Sequence, residues 1–193
     1  SLFFFIFEKL SSAGYDVEMK RIYLDNAAAT PVGSETLRVI NEATKKFLGN
    51  PSALHREGVI ARDALEKARK KVADFLGAHA DEIIFTSGAT EANNMTLAGV
   101  VQSARARGLK HPHIIVSSIE HPSVLEAARM MEAQGVKVSY ASVDKRGVVD
   151  IKNFRKLITP ETVLISIMYA NNEIGTIEPI RDIAKEIRRA RKV

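Results

Sequence analysis

Glu82-Ile83-Ile84-Phe85-Thr86-Ser87-Gly88-Ala89-Thr90-Glu91 decides how the rest of the chain reads. Ile83 to Thr86 are β-branched or aromatic and suit a strand over 82–86. From Thr90 the apolar residues take helical spacing, which predicts a helix over 90–107. The same switch of period recurs downstream, with strands over 113–117, 136–140 and 163–168. Helices are expected over 122–134, from an Asp150 cap through Leu157, and after Pro179, which suits a first helical position. Apolar strands alternating with helices predict an α/β, three-layer architecture, a mostly parallel sheet flanked by helices. The chain reaches Val193 with the sheet's flank still to be covered, so the architecture is expected to be incomplete in these residues and to be finished by strands of another chain.

Upstream, residues 21–24 read as a short strand entering the loop 25–31, and Ser34 can cap a helix over 35–47. Gly49-Asn50-Pro51-Ser52 turns the chain. A long amphipathic helix over 57–76 follows, with Ile60, Ala64, Ala68, Val72 and Phe75-Leu76 on its apolar face and Gly77 as its stop. Residues 1–20 form an appended hydrophobic leader or partner-packed segment, with residues 21–193 as the second region. Leu2 to Ile6 and Phe7 are too few apolar residues to span a bilayer or to make a full signal core. A membrane-surface anchor, a foreign leader and a segment packed on a partner remain open, and packing against another protein surface is the expectation because an exposed aromatic run invites association.

With 193 residues, 46% of them hydrophobic, the chain can bury a real core. Its formal charge of +5 is concentrated in residues 181–193, where six basic residues meet two acidic ones. That clustering suits a solvated helix face whose cations sit at the carbonyl end of the dipole, so no nucleic-acid partner is expected. There are no cysteines, which removes disulfides, thiolate metal sites and a cysteine nucleophile from these residues. Nothing points outside the cell, and a cytoplasmic location is expected.

Three strand ends carry candidate chemistry. At the first, Ser87, Gly88, Ala89 and Thr90 open a helix where unpaired N–H groups and hydroxyls can surround a phosphate, or serve as an ordinary cap. The spacing matches neither the dinucleotide nor the P-loop signature. At the second, Glu120-His121-Pro122-Ser123 puts an imidazole on the same side of the sheet, able to stack on a planar ring or shuttle a proton, or to satisfy a helix entry. His111 and His113 are expected to diverge and to make a poor metal pair, and no metal site is nominated. At the third, Tyr169-Ala170-Asn171-Asn172-Glu173-Ile174-Gly175 offers two amides and a carboxylate, either for a ligand's ring oxygen or for an Asx turn. Three polar strand ends with one crossover handedness should meet at one crevice.

Together the segments 23–31, 49–52 with His55 and Gly58, 85–91, Glu120-His121 and 166–175 resemble the N-terminal part of cysteine desulfurases, pyridoxal-phosphate enzymes of fold type I similar to class V aminotransferases. The resemblance covers nearly all of residues 21–193. It implies that Ala89 and Thr90 hold the phosphate of pyridoxal 5'-phosphate, that His121 stacks over its ring and assists proton transfer, and that Asn172 bonds its phenolic oxygen. The segment from Asn50 to Gly58 would lie near a dimer-related site.

The family continues into an aspartate for the pyridine nitrogen, a glutamine, the Schiff-base lysine, a persulfide-forming cysteine and a carboxylate-binding arginine. The resemblance therefore implies a complementary C-terminal chain that carries the lysine and the cysteine, a dimer of the complete unit, L-cysteine as substrate, and an iron-sulfur scaffold or other sulfur acceptor. The expected reaction releases L-alanine and leaves an enzyme persulfide for iron-sulfur cluster or thio-cofactor synthesis, with the isolated chain inactive. A selenocysteine lyase, a class V aminotransferase half and a non-catalytic scaffold fragment are the alternatives.

Overall fold

The computed structural model describes residues 22–190, so the expectations for residues 1–20 lie outside the described residues. The chain divides into two compact units, one up to Gly33 and one from Ser34. In the first, the N–H groups of Ala28 and Ala29 turn back onto the Asp25 carbonyl at 3.2 and 3.3 Å. Thr30 closes the turn by donating its hydroxyl to the Asn26 carbonyl. Residues 22–24 are not a strand.

The second unit begins with helices α1 (Ser34–Lys46) and α2 (Arg56–Leu76). Ser34, expected as a cap, is the first helical residue of α1. Between the two helices the chain doubles back so closely that a Cβ on Gly58 would stand 2.6 Å from the Ala53 carbonyl oxygen and 2.7 Å from that of Asn50. Only glycine fits such an approach, and His55 completes the entry by accepting the Gly58 N–H. Gly77 ends α2 in the left-handed conformation at φ 67°. The apolar stripe of α2 is present, yet Ile60, Phe75 and Leu76 are exposed, and burial is confined to the small residues Gly58, Ala61 and Ala73.

The segment 82–86 departs from expectation. A short 3-10 turn (Ala80–Glu82) leads into irregular chain, and Ile84 and Phe85 lie exposed. A strand exists only where a neighbour completes its ladder, and no described strand runs beside this one. Arg69 takes that place in part, donating to the Ile83 carbonyl and standing 5.0 Å over the Phe85 ring.

From here the alternation is regular: α3 (Ala89–Ala106), β1 (His113–Ser117), α4 (Pro122–Ala133), β2 (Lys137–Ala141), α5 (Ile151–Leu157), β3 (Thr162–Ser166) and α6 (Ile180–Ala190). Asp150 caps α5 by accepting the N–H groups of Lys152 and Asn153. Pro179 stands one residue before α6, its carbonyl accepting from Asp182 and Ile183. The strands form a parallel sheet in the order β2-β1-β3. β1 is central and wholly buried, and its alternation divides the core. Ile114 and Val116 face Leu97 and Val101 of α3 and Val124, Ala128 and Met131 of α4. Ile115 faces Phe154 of α5 and Ile183 of α6 on the other side. The result is the expected three-layer arrangement.

His113 is fully buried, whereas His111 is exposed before β1. Its Nδ1 lies 2.8 Å from the Thr162 hydroxyl on β3 and its Nε2 lies 2.9 Å from the Ser139 hydroxyl on β2. The ring thus ties all three strands together, and burial, reinforced by Lys137, holds its pKa below the ordinary imidazole value.

Candidate functional site

The chain leaves β1 for β2 on one side and returns to β3 on the other, so the carboxyl ends of β1 and β3 open at the point where the strand order reverses. Two loops cross that opening. Asn171, after β3, donates through Nδ2 to the Ile119 carbonyl after β1 at 3.1 Å. Its Oδ1 accepts the N–H groups of Glu173 and Ile174 at 2.9 and 3.0 Å. Asn171 is therefore the buried amide that builds an Asx turn and pins the two loops, while Asn172 is exposed beside it. Of the two roles that the sequence left open, the Asx turn thus falls to Asn171.

Glu120 is buried at the same strand ends, 3.4 Å from the Ser166 hydroxyl. Burial raises its carboxyl above the ordinary carboxylate value, against the hydrogen bonds of Met168, Ser166 and His121, and the charge of Glu178 pushes the same way as burial. The Glu178 carboxylate is buried too and accepts the Val149 N–H at 2.9 Å.

The opening of α3 has a different character. Ala89 and Thr90 are its first residues and both are exposed. The preceding Gly88 is extended, at φ 167°, and a Cβ there would meet nothing within 4 Å. Gly88 therefore keeps the approach to the helix start open and is not required by backbone conformation. Glu91 folds back onto Ser87, accepting its N–H at 2.7 Å and its hydroxyl at 2.6 Å, so both Ser87 donors expected to face a phosphate are engaged within the chain. Those bonds hold the Glu91 carboxyl below the ordinary range and leave the Thr90 hydroxyl and the first N–H groups of α3 facing outward.

Thr90 and His121 meet in one open cleft of about 440 Å³, lined also by Asn94, Pro122, Glu126 and Met130. Glu126 is paired with Arg129, which offsets its charge. His121 is the N-cap of α4, its Nδ1 accepting the Ser123 N–H at 3.1 Å and standing 2.8 Å from the Ser123 hydroxyl. Ser123 in turn accepts from Asn93 Nδ2 at 2.9 Å. The structure thus brings Thr90 and His121 together, sets Ala89 beside Thr90, and leaves Asn172 outside the lining of this cleft. Sequence reasoning passed over Asn93 and Asn94, whose signal was two consecutive amides one turn into an otherwise apolar helix.

The family model for class-V aminotransferases matches residues 22–193. This chain belongs to the class-V aminotransferase family. Among its members, the cysteine desulfurase IscS of Dictyoglomus turgidum is 48% identical over 168 residues, which make up 86% of this chain and 42% of that protein. The IscS of Methanosarcina thermophila is 45% identical over 168 residues, 87% of this chain and 41% of the relative. Among solved structures, a NifS-like protein superposes with a TM-score of 0.83 at 40% identity, covering 90% of this chain and 47% of that one. The chain spans less than half the length of the curated relatives it matches. The resemblance read from the motifs to cysteine desulfurases therefore extends over 86% of this chain, and the incomplete sheet corresponds to a portion of the class-V aminotransferase architecture. Among the described residues, no helix is long and apolar enough to cross a membrane.

Proposed function

We propose that these residues form the phosphate- and ring-holding portion of a pyridoxal-phosphate-dependent cysteine desulfurase. Membership of the class-V aminotransferase family implies such a cofactor, and the donor set of the cleft fits it. The start of α3 presents outward N–H groups and the Thr90 hydroxyl to an anion, Ala89 and Gly88 leave room for it, and Ser87 takes up the Glu91 carboxylate through its N–H and hydroxyl. His121 offers an exposed planar face bounded by Pro122 and Met130, suited to an aromatic ring. The single observation that carries the reading is this cleft, which joins an 18-residue helix's N-terminus to an N-cap imidazole at the carboxyl side of a parallel sheet.

When bound, pyridoxal phosphate supplies an electron sink for the amino-acid substrate. The chain's own residues bind and orient. Thr90 and Ala89 fix the phosphate end, His121 covers the ring and exchanges protons at Nε2, and Asn172, exposed beside the pinned Asn171, reaches the phenolic edge. Conversion of L-cysteine to L-alanine with retention of the sulfur as a persulfide, for iron-sulfur or thio-cofactor synthesis, requires a cysteine supplied from outside these 193 residues, since the sequence holds none, and the resemblance places the Schiff-base lysine outside them as well. A complementary polypeptide with those groups is the expected partner, and a dimer of the complete unit the expected assembly.

The test is reconstitution. The chain alone binds pyridoxal phosphate weakly and without a covalent bond, and activity on L-cysteine arises only when the complementary sequence is added. A stable, borohydride-reducible lysine adduct within residues 1–193 overturns the assignment.

A further inference from the structure

The imidazole of His121 is held by more than its position. The backbone N–H of Ser123 can only donate, and it lies 3.1 Å from Nδ1. That nitrogen must therefore carry a lone pair, and in the neutral ring the hydrogen resides on Nε2. The Ser123 hydroxyl, 2.8 Å from the same nitrogen, then donates to it as well. The oxygen of that hydroxyl in turn receives a hydrogen bond from Asn93 Nδ2 at 2.9 Å, which orients it toward the ring. The direction of donation thus runs from the amide on α3 through the hydroxyl at the start of α4 to the ring. The chain is partly buried, it crosses between two helices, and the face of α3 that carries it is packed against α4 through Leu97, Val101, Val124 and Ala128.

We infer that Asn93 and Ser123 are positioning residues that fix His121 as its Nε2–H tautomer, so that the ring meets a ligand in the Thr90–His121 cleft as a hydrogen donor. Asn93 is not among the residues that line the cleft, and Ser123, which does line it, has its hydroxyl engaged between Asn93 and His121, so their effect passes through the ring. The reading rests on the proposed function only for what the ligand is. The tautomer is a property of the chain by itself.

Proton-detected nitrogen-15 long-range correlation spectra of the full chain assign both ring nitrogens of His121 directly. In the unsubstituted protein Nε2 carries the hydrogen and Nδ1 does not. Ser123→Ala removes one neutral donor and lowers the Nε2–H to Nδ1–H ratio about fivefold. Asn93→Asp preserves shape but turns the donor into a charged acceptor, reverses the hydroxyl, and lowers the ratio more than tenfold. Ser123→Thr, which keeps the hydroxyl, restores it. An Nδ1–H ring in the unsubstituted protein overturns the inference even if every variant fails to fold, and so does a ratio unchanged in both folded variants. Pyridoxal phosphate titrated into the same samples separates the two claims. The predicted tautomers without cofactor binding leave the positioning intact and sink the cofactor reading, whereas cofactor binding over an Nδ1–H ring does the reverse.

Discussion

His113 and His121 stand at opposite ends of one strand and have opposite fates. At the amino end of β1 both nitrogens of His113 are engaged by hydroxyls from the neighbouring strands and the ring is fully buried. Just past the carboxyl end, His121 has one nitrogen engaged by its own helix entry and its ring open to a cleft. The contrast lies in the surroundings and not in the residue type. The amino end is closed by polar side chains that need only each other, whereas past the carboxyl end, where the strand order reverses, the His121 ring stays open to the cleft it shares with Thr90.

The largest expected effect is on stability. His113→Ala removes the shared partner of two half-buried hydroxyls and opens a cavity at the amino end of the central strand, so unfolding in urea should show a loss of about 2–4 kcal/mol. His121→Ala removes one helix cap and should cost no more than about 1 kcal/mol. Equal losses at the two positions would break the comparison.

The next effect belongs to the open end alone. Thr90→Ala removes a charge-assisted hydrogen bond of about 1.5–3 kcal/mol and should weaken pyridoxal-phosphate binding about ten- to hundredfold in a fluorescence titration. His113→Val, sized to limit the cavity, should leave that affinity unchanged wherever the protein is folded. An affinity that follows stability instead of position would assign Thr90 to helix capping.

The pH dependence sharpens the same division. His113 has a folded pKa below 6.5 because of burial, so its contribution to stability is present above that value and is lost as pH falls through the folded pKa. Glu120 has a folded pKa raised above 4.5, again by burial, so its contribution is present below 4.5 and is lost as pH rises through the folded value. Glu120→Gln should therefore gain on the unsubstituted protein in melting temperature between about pH 4 and about pH 7. A constant difference between the two proteins across that range would remove the buried carboxyl as a source of pH sensitivity.

The sequence made the parallel core legible because β1 and β3 are apolar runs bounded by unmistakable helix entries, Pro122 and Asp150 among them. It misled over 82–86, where the pattern of a strand is present but a ladder neighbour is not, since pairing is a property of two segments and composition reports only one. In the candidate cleft, Thr90 was legible from its place at the opening of a helix and His121 from the junction between β1 and α4. Asn93 was not, because a polar residue inside a helix reads as solvated until a second helix is known to lie against it. The choice between Asn171 and Asn172 was equally hidden, since neighbouring amides with the same chemistry are separated only by which one the Ile119 carbonyl captures.

That pair gives the finest test. Asn171→Ala removes the anchor between the loops after β1 and β3 together with two turn hydrogen bonds, and should cost about 1–2 kcal/mol in stability. Asn172→Ala touches neither and should stay within about 0.5 kcal/mol. Its consequence should appear only once the complementary sequence and pyridoxal phosphate are present, as a shift of the cofactor's absorbance with less effect on affinity than Thr90→Ala produces, because it acts at the ring's edge and not at the phosphate. Absorbance and binding measured on the two variants side by side discriminate the amides. An unchanged spectrum in Asn172→Ala, with the shift found instead in a folded Asn171→Ala protein, would exchange their roles and make the buried turn the part that meets the ligand.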